Sequence, residues 1–123
     1  MRIFFIVGKP ASGKDTQADF LVKKFKLKKV TTSEAVDKFL QACQKRKKKY
    51  IFIKGRKINI DKQIKRRFSG KLYSYSLVTF VIGNILQRAL KRKKSLVFAG
   101  SPRSRYEAKT YLEILRNSQA KYY

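Results

Sequence analysis

The chain has 123 residues, room for one domain with a single core of modest size. Its 43% hydrophobic and 13% aromatic content argues against a disordered chain, while 32 Lys and Arg against 7 Asp and Glu leave a net charge of +25. One cysteine and no histidine exclude an intrachain disulfide and a thiolate or imidazole metal cluster. The sequence shows no secretory signal or membrane-spanning run, which fits a cytoplasmic setting.

The run IFFIV, residues 3–7, is continuously apolar and β-favouring, the pattern of a strand buried on both faces. Residues 13–25 predict a helix with Ala18, Leu21, Val22 and Phe25 on one side, and residues 28–32 a second strand. Ser33 is expected to cap the next helix, where Val36, Phe39, Leu40 and Cys43 recur at helical spacing. Cys43 reads as a small core residue. Residues 45–49 are five consecutive cations, a solvated surface. The stretch YIFIKGRKINI, residues 50–60, places apolar runs on either side of KGRK and predicts a small hairpin. Asp61 is expected to cap a short helix carrying Ile64 and Phe68 and ending at Gly70.

The longest helix is expected over residues 75–93, with a stripe of Val78, Val81, Ile82, Ile85, Leu86, Ala89 and Leu90. Residues 95–99 predict a third strand, GSPR a loop, and residues 104–117 a last helix. Strands alternating with helices point to a three-layer α/β domain around a parallel sheet of about three strands, with an arm over residues 33–93. Such a sheet has an open edge and a half-covered face, a liability that self-association or a partner surface would relieve.

The charge carries its own expectation. A domain this basic attracts polyanions through Coulomb attraction and counterion release, with nucleic acid the first partner and an anionic membrane a weaker alternative. The aromatics and cations of KYIFIKGRK read in two ways, as a surface that stacks on RNA or as the buried side of the hairpin.

GKPASGKDT, residues 8–16, satisfies the spacing G-x-x-x-x-G-K with a hydroxyl two places after the lysine. The chemistry explains the spacing. Glycines let the backbone curl so that successive N–H groups face phosphate oxygens, and the helix that follows adds its positive amino-terminal end. Lys14 would reach the terminal phosphates. Asp15 stands where a P-loop usually has the Mg²⁺-binding hydroxyl, which here comes one place later, at Thr16. The bland alternative is an ordinary strand-to-helix turn. The position after a buried-type strand and before an amphipathic helix favours a phosphate loop.

With these residues in view, the chain resembles the adenylate kinases, or more broadly the nucleoside monophosphate kinases. KVTTSEAV is similar to the family's second-strand segment. SGKLYSYSLVTFVI is similar to its Gly-Lys-Leu-Val segment and the helix after it, and FAGSPRSRYEAK to its Asp-Gly-Phe-Pro-Arg signature. The four motifs stand in family order over nearly the whole chain. The resemblance implies phosphoryl transfer from Mg-ATP to a nucleoside monophosphate, with the protein positioning substrates and neutralising charge. It also implies that Gly8, Pro10, Ala11, Ser12, Gly13, Lys14, Asp15 and Thr16 hold ATP phosphates, with Thr16 at the Mg²⁺. Thr32 and the backbone near Leu72 and Tyr73 would touch the base of the monophosphate. Arg103, a permanently charged bidentate donor, would grip its phosphate.

Several positions depart from the family. Asp37 stands in place of an arginine for the monophosphate, and is read as a solvent-facing helix residue. Ala99 replaces the signature aspartate, and Ser33 replaces a glycine. Glu107 replaces the glutamine that reads adenine. Its carboxylate would accept from guanine N–H groups, or, since Ser104 and Glu107 fit S-x-x-E, would close a capping box. The lid arginines and two further central strands of the family have no counterpart in these residues, so the expectation is a family member cut short. Its alternative is a non-enzymatic, strongly basic descendant that binds RNA or ribosomes.

Overall fold

A computed structural model of the chain describes residues 1–7, 13–71, 73–118 and 120–123, with the side chains of Lys14 and Asp15 left outside the description. Gly8, Pro10, Ala11, Ser12 and Leu72, all singled out by the sequence, lie outside the described residues. The elements in chain order are β1 (Arg2–Ile6), α1 (Lys14–Phe25), β2 (Lys28–Thr31), α2 (Thr32–Lys45), β3 (Tyr50–Ile53), β4 (Arg56–Asn59), α3 (Ile60–Phe68), α4 (Tyr75–Arg92), β5 (Leu96–Ala99), α5 (Arg105–Arg116) and β6 (Lys121–Tyr122).

Among the described residues the main sheet has four strands in the order β2-β5-β1-β6, all parallel. Ile3–Ile6 of β1 and all of β5 are apolar because both of their faces are covered, and the alternation of side chains divides them between two cores. Phe4, Ile6, Val97 and Ala99 point to α1, where they meet Ala18, Leu21, Val22 and Phe25. Ile3, Phe5, Leu96 and Phe98 point to the opposite face and join the larger core of α2, α4 and α5. Phe5 stacks on both Phe98 and Tyr111, with ring centroids 5.2 and 5.8 Å apart. The expected stripes of α2 and α4 pack into this cluster, and Cys43 is buried within it.

The strand order follows from handedness. β1 crosses over α1 to β2 in one direction, while the return to β5 and the crossing over α5 to β6 run the other way on the opposite face. Both senses are right-handed only if the helices occupy opposite faces, which is what the two clusters show.

Four expectations need correction. The sheet has a fourth strand, β6, so β1 is central. Tyr123 N–H donates to the Ile3 carbonyl at 2.9 Å and extends that pairing. α2 begins two residues early, with Thr31 at its N-cap and no side-chain cap bond, so Ser33 does not cap it. The cap of α3 is Asn59, whose side chain accepts from the Lys62 N–H at 3.0 Å, while Asp61 lies in the first turn beside the helix's positive end. Phe68 does not join Ile64 in the core and is 87% exposed.

Residues 50–60 do form a hairpin, with Ile51 opposite Ile58 and Phe52 opposite Lys57. Lys54 and Gly55 at the turn have φ of 50° and 79°. Two consecutive left-handed residues make the turn type whose twist suits a hairpin.

Candidate functional site

In the register of the sheet, Ile6, Ala99 and Thr31 lie side by side across β1, β5 and β2. Three parallel strands therefore end level, within about 10 Å. The loops that leave them share one edge, where the direction of strand succession reverses beside β1. This is the position at which open parallel sheets bind ligands.

The loop after β1 delivers the chain to Gly13, the residue before α1. Gly13 has φ 86° and ψ 9°, a left-handed conformation, and its carbonyl accepts the first helical bond from the Gln17 N–H at 3.0 Å. No described atom lies within 4 Å of the point where a Cβ on Gly13 would stand. A side chain here would be strained by the backbone, and at the helix's positive end it would meet no described atom. Thr16, one turn in, is exposed.

The loop after β5 is closely tied to its surroundings. Gly100 N–H donates to the Ile6 carbonyl at 2.9 Å, which extends the β1–β5 ladder into the loop. Gly100 has φ 98°, and an added Cβ would stand 3.1 Å from Nη2 of Arg103 and 3.4 Å from Oγ1 of Thr32. The absence of that carbon lets Arg103 and Thr32 approach each other over the backbone. Arg103 Nε donates to the Gly100 carbonyl at 2.8 Å, so an otherwise exposed guanidinium is anchored at one nitrogen. Thr32, at the first turn of α2, donates to the Ala99 carbonyl at 3.2 Å, and its hydroxyl lies 2.6 Å from that of the fully buried Ser101. The Ser101–Pro102 peptide is cis.

Glu107 organises the other side of this loop. Its side chain is 0% exposed. Oε2 accepts from the Arg103 N–H at 3.0 Å and the Ser104 hydroxyl at 3.3 Å, and Oε1 accepts from the Tyr111 hydroxyl at 3.1 Å. Ser104 in turn caps α5 by accepting from the Glu107 N–H at 3.2 Å. This is a capping box displaced by one residue, since the carboxylate reaches the N–H of Arg103 rather than that of Ser104. An enclosed carboxylate with both oxygens engaged has no free edge for a base. Burial raises the Tyr111 phenol above its ordinary range, helped by the Glu107 charge and opposed by Ser101 and Thr79.

A second polar group stands on α2. The Tyr73 hydroxyl donates to Oδ1 of Asp37, and Nε of Arg67 lies 3.6 Å from the same oxygen. Tyr73 is 9% exposed. Burial, then the Asp37 carboxylate, hold its phenol above the ordinary range, while Arg67 opposes them. Asp37 is therefore not an idle solvent-facing residue; it ties α2 to the segment around residue 73. Next to Tyr73, the Ser74 hydroxyl is buried with no hydrogen-bond partner among the described residues, although the Ser74 N–H reaches Oε1 of Gln63 at 3.3 Å.

Of the residues singled out by sequence, the structure brings together Thr32, Arg103 and Glu107, with Gly13 on the same strand-end edge. Tyr73 belongs to the separate Asp37 group. Sequence reasoning missed Gly100, Ser101 and Arg67. Gly100 had a readable signal, a glycine directly after a buried strand and before Ser-Pro. Two clefts are formed by described residues. One, of about 1220 Å³, opens between α4 and α5 near Met1 and Ala120; the other, of about 470 Å³, flanks the outer edge of β2. No group of three or more His, Cys, Asp or Glu among the described residues is arranged to hold a metal ion. No described helix is long and apolar enough to cross a membrane. No protein-family model matches the chain, and no curated protein matches it in sequence.

Proposed function

We propose that this chain binds ATP or ADP with Mg²⁺ at residues 8–16 and takes a nucleoside monophosphate beside Thr32 and Arg103, as in adenylate kinase-like phosphoryl transfer. One observation carries the reading. A G-x-x-x-x-G-K sequence connects the central strand of a parallel sheet to a helix whose N-cap glycine is left-handed, and an anchored arginine stands on the neighbouring strand's loop.

The residues present suit these ligands. The amino end of α1, where no described atom stands within 4 Å of a Cβ on Gly13, suits an anionic oxygen, which the helix end and backbone N–H groups would stabilise. Lys14 is the cation placed by the motif for the terminal phosphates, and Thr16 the hydroxyl for Mg²⁺. When bound, the metal neutralises and orients phosphate oxygens. It needs few protein ligands, so the lack of an acidic cluster among the described residues is compatible with it. Arg103, fixed by Gly100, offers its remaining N–H groups to a phosphate without having to order a long side chain at the moment of binding. Glu107 takes no part in reading guanine, because its carboxylate is enclosed. Efficient transfer would need further cations closing over the phosphates, each worth roughly 10³ to 10⁵ in rate.

The test is a melting series with Mg-ADP on the wild type and on Lys14→Ala. At ligand one hundredfold above Kd, stabilisation of about 2.7 kcal/mol is expected, a rise of several degrees. Lys14→Ala should lose most of that rise while keeping the ligand-free melting temperature. A wild-type melt that Mg-ADP and Mg-ATP leave unmoved removes the proposal.

A further inference from the structure

The hairpin of β3 and β4 turns one side to the core and the other to solvent. Ile51, Ile53 and Ile58 pack against the main cluster. Tyr50, Phe52 and Lys57 alternate with them and are exposed. The two rings stand about 7 Å apart along one strand, on a common surface. Phe52 keeps 66% of its area in water and Tyr50 43%. Packing does not call for an aromatic here, since any β-favouring polar residue would serve an outward strand position.

Cations frame the rings. Lys57 Nζ lies 3.9 Å from the centroid of Tyr50. Lys48, Lys49, Lys54 and Arg56 adjoin in sequence, and no acid occurs between Asp37 and Asp61. The platform is also held in place. The Ile60 N–H donates to the Lys49 carbonyl at 3.0 Å and closes its base, and Lys54 at the turn lies 5.0 Å from the centroid of Tyr106 on α5. A rigid surface with ring faces presented and positive charge around them is what unpaired bases on a phosphate backbone require.

We infer that the outer face of this hairpin binds single-stranded RNA, with Phe52 and Tyr50 stacking on bases and Lys57, opposite Phe52, and Lys54 at the turn engaging phosphates. The charge complements the backbone, and the rings select against a duplex, whose base faces are hidden. Two rings on a four-residue strand are too narrow an apolar face for a membrane surface. In a cell most unpaired polynucleotide is RNA, which decides between the two nucleic acids. The inference does not rest on the nucleotide site.

The experiment is fluorescence anisotropy of a labelled short oligouridylate on the full chain across a salt series, with a duplex of equal length beside it. Phe52→Thr and Tyr50→Thr should each weaken single-strand binding about tenfold without changing its salt slope. Phe52→Tyr should retain binding, and Lys57→Gln should lower the slope by about one. Duplex binding should be weaker and indifferent to Phe52→Thr. If Phe52→Thr disturbs folding by circular dichroism, the Tyr50→Thr comparison decides. Equal affinity for the two probes, or single-strand affinity unmoved by the ring substitutions, reduces the face to charge alone and overturns the inference. Lys14→Ala should leave oligouridylate binding intact, which separates this outcome from failure of the nucleotide site.

Discussion

Glu107 and Phe52 stand where the usual solvation preferences would not put them. The carboxylate is 0% exposed, and the phenylalanine keeps 66% of its surface in water. The corner after β5 compensates by supplying a donor to each carboxylate oxygen and anchoring Arg103 against Gly100. The hairpin supplies no such compensation for its outer rings, only neighbouring cations. A buried polar group with full partnership fixes a geometry; an exposed apolar group without a partner leaves a surface whose use lies outside the chain. The first arrangement should be costly to disturb in stability and the second almost free.

That contrast can be broken in steps of decreasing size. Glu107→Ala leaves the Arg103 N–H and the Ser104 and Tyr111 hydroxyls without their acceptor, and should cost about 3 kcal/mol in urea unfolding. A cost under about 1 kcal/mol would mean that the corner is solvated rather than enclosed. Gly100→Ala forces a Cβ into a left-handed residue 3.1 Å from Arg103, for about 2 kcal/mol, and should also weaken nucleoside monophosphate binding.

Tyr73→Phe removes the bond to Asp37 for about 1 kcal/mol at neutral pH. It should also change the alkaline limb. The Tyr73 and Tyr111 phenols are raised above 10.0 in the folded chain, so their contribution is complete below that pH. Above it the unfolded chain ionises first and stability falls. Tyr73→Phe should therefore make the loss of melting temperature beyond pH 10.0 shallower than in the wild type. Phe52→Thr, at the other end of the scale, should move stability by no more than about 0.5 kcal/mol.

Much of the fold was legible because its signals are local. The IFFI of IFFIV announces a strand covered on both faces, although Val7 lies past its end and is 57% exposed, and the spacing along α4 announces its buried stripe. β6 was not legible, since two strand residues in a polar stretch carry no alternation and are fixed only by the neighbouring edge of β1. The cap of α3 was misassigned because Asn59 and Asp61 are both good caps, and the end of β4 decides between them. At the candidate site, Arg103 and the S-x-x-E pair were visible as motifs. The link from Asp37 to Tyr73 joins residues 36 apart in sequence, and only packing of α2 against the later chain reveals it.

The placement of β1 has a consequence for how the chain is assembled. It is the earliest described strand, yet its hydrogen-bonding neighbours begin at Leu96 and Lys121. During synthesis this strongly apolar segment must wait, unpaired, at least until the chain through β5 has been made. Completion of the sheet is then a late event, closed by contacts between the two ends of the described chain. The exposure of β1 in that interval is the period of greatest vulnerability to misassociation or chaperone capture.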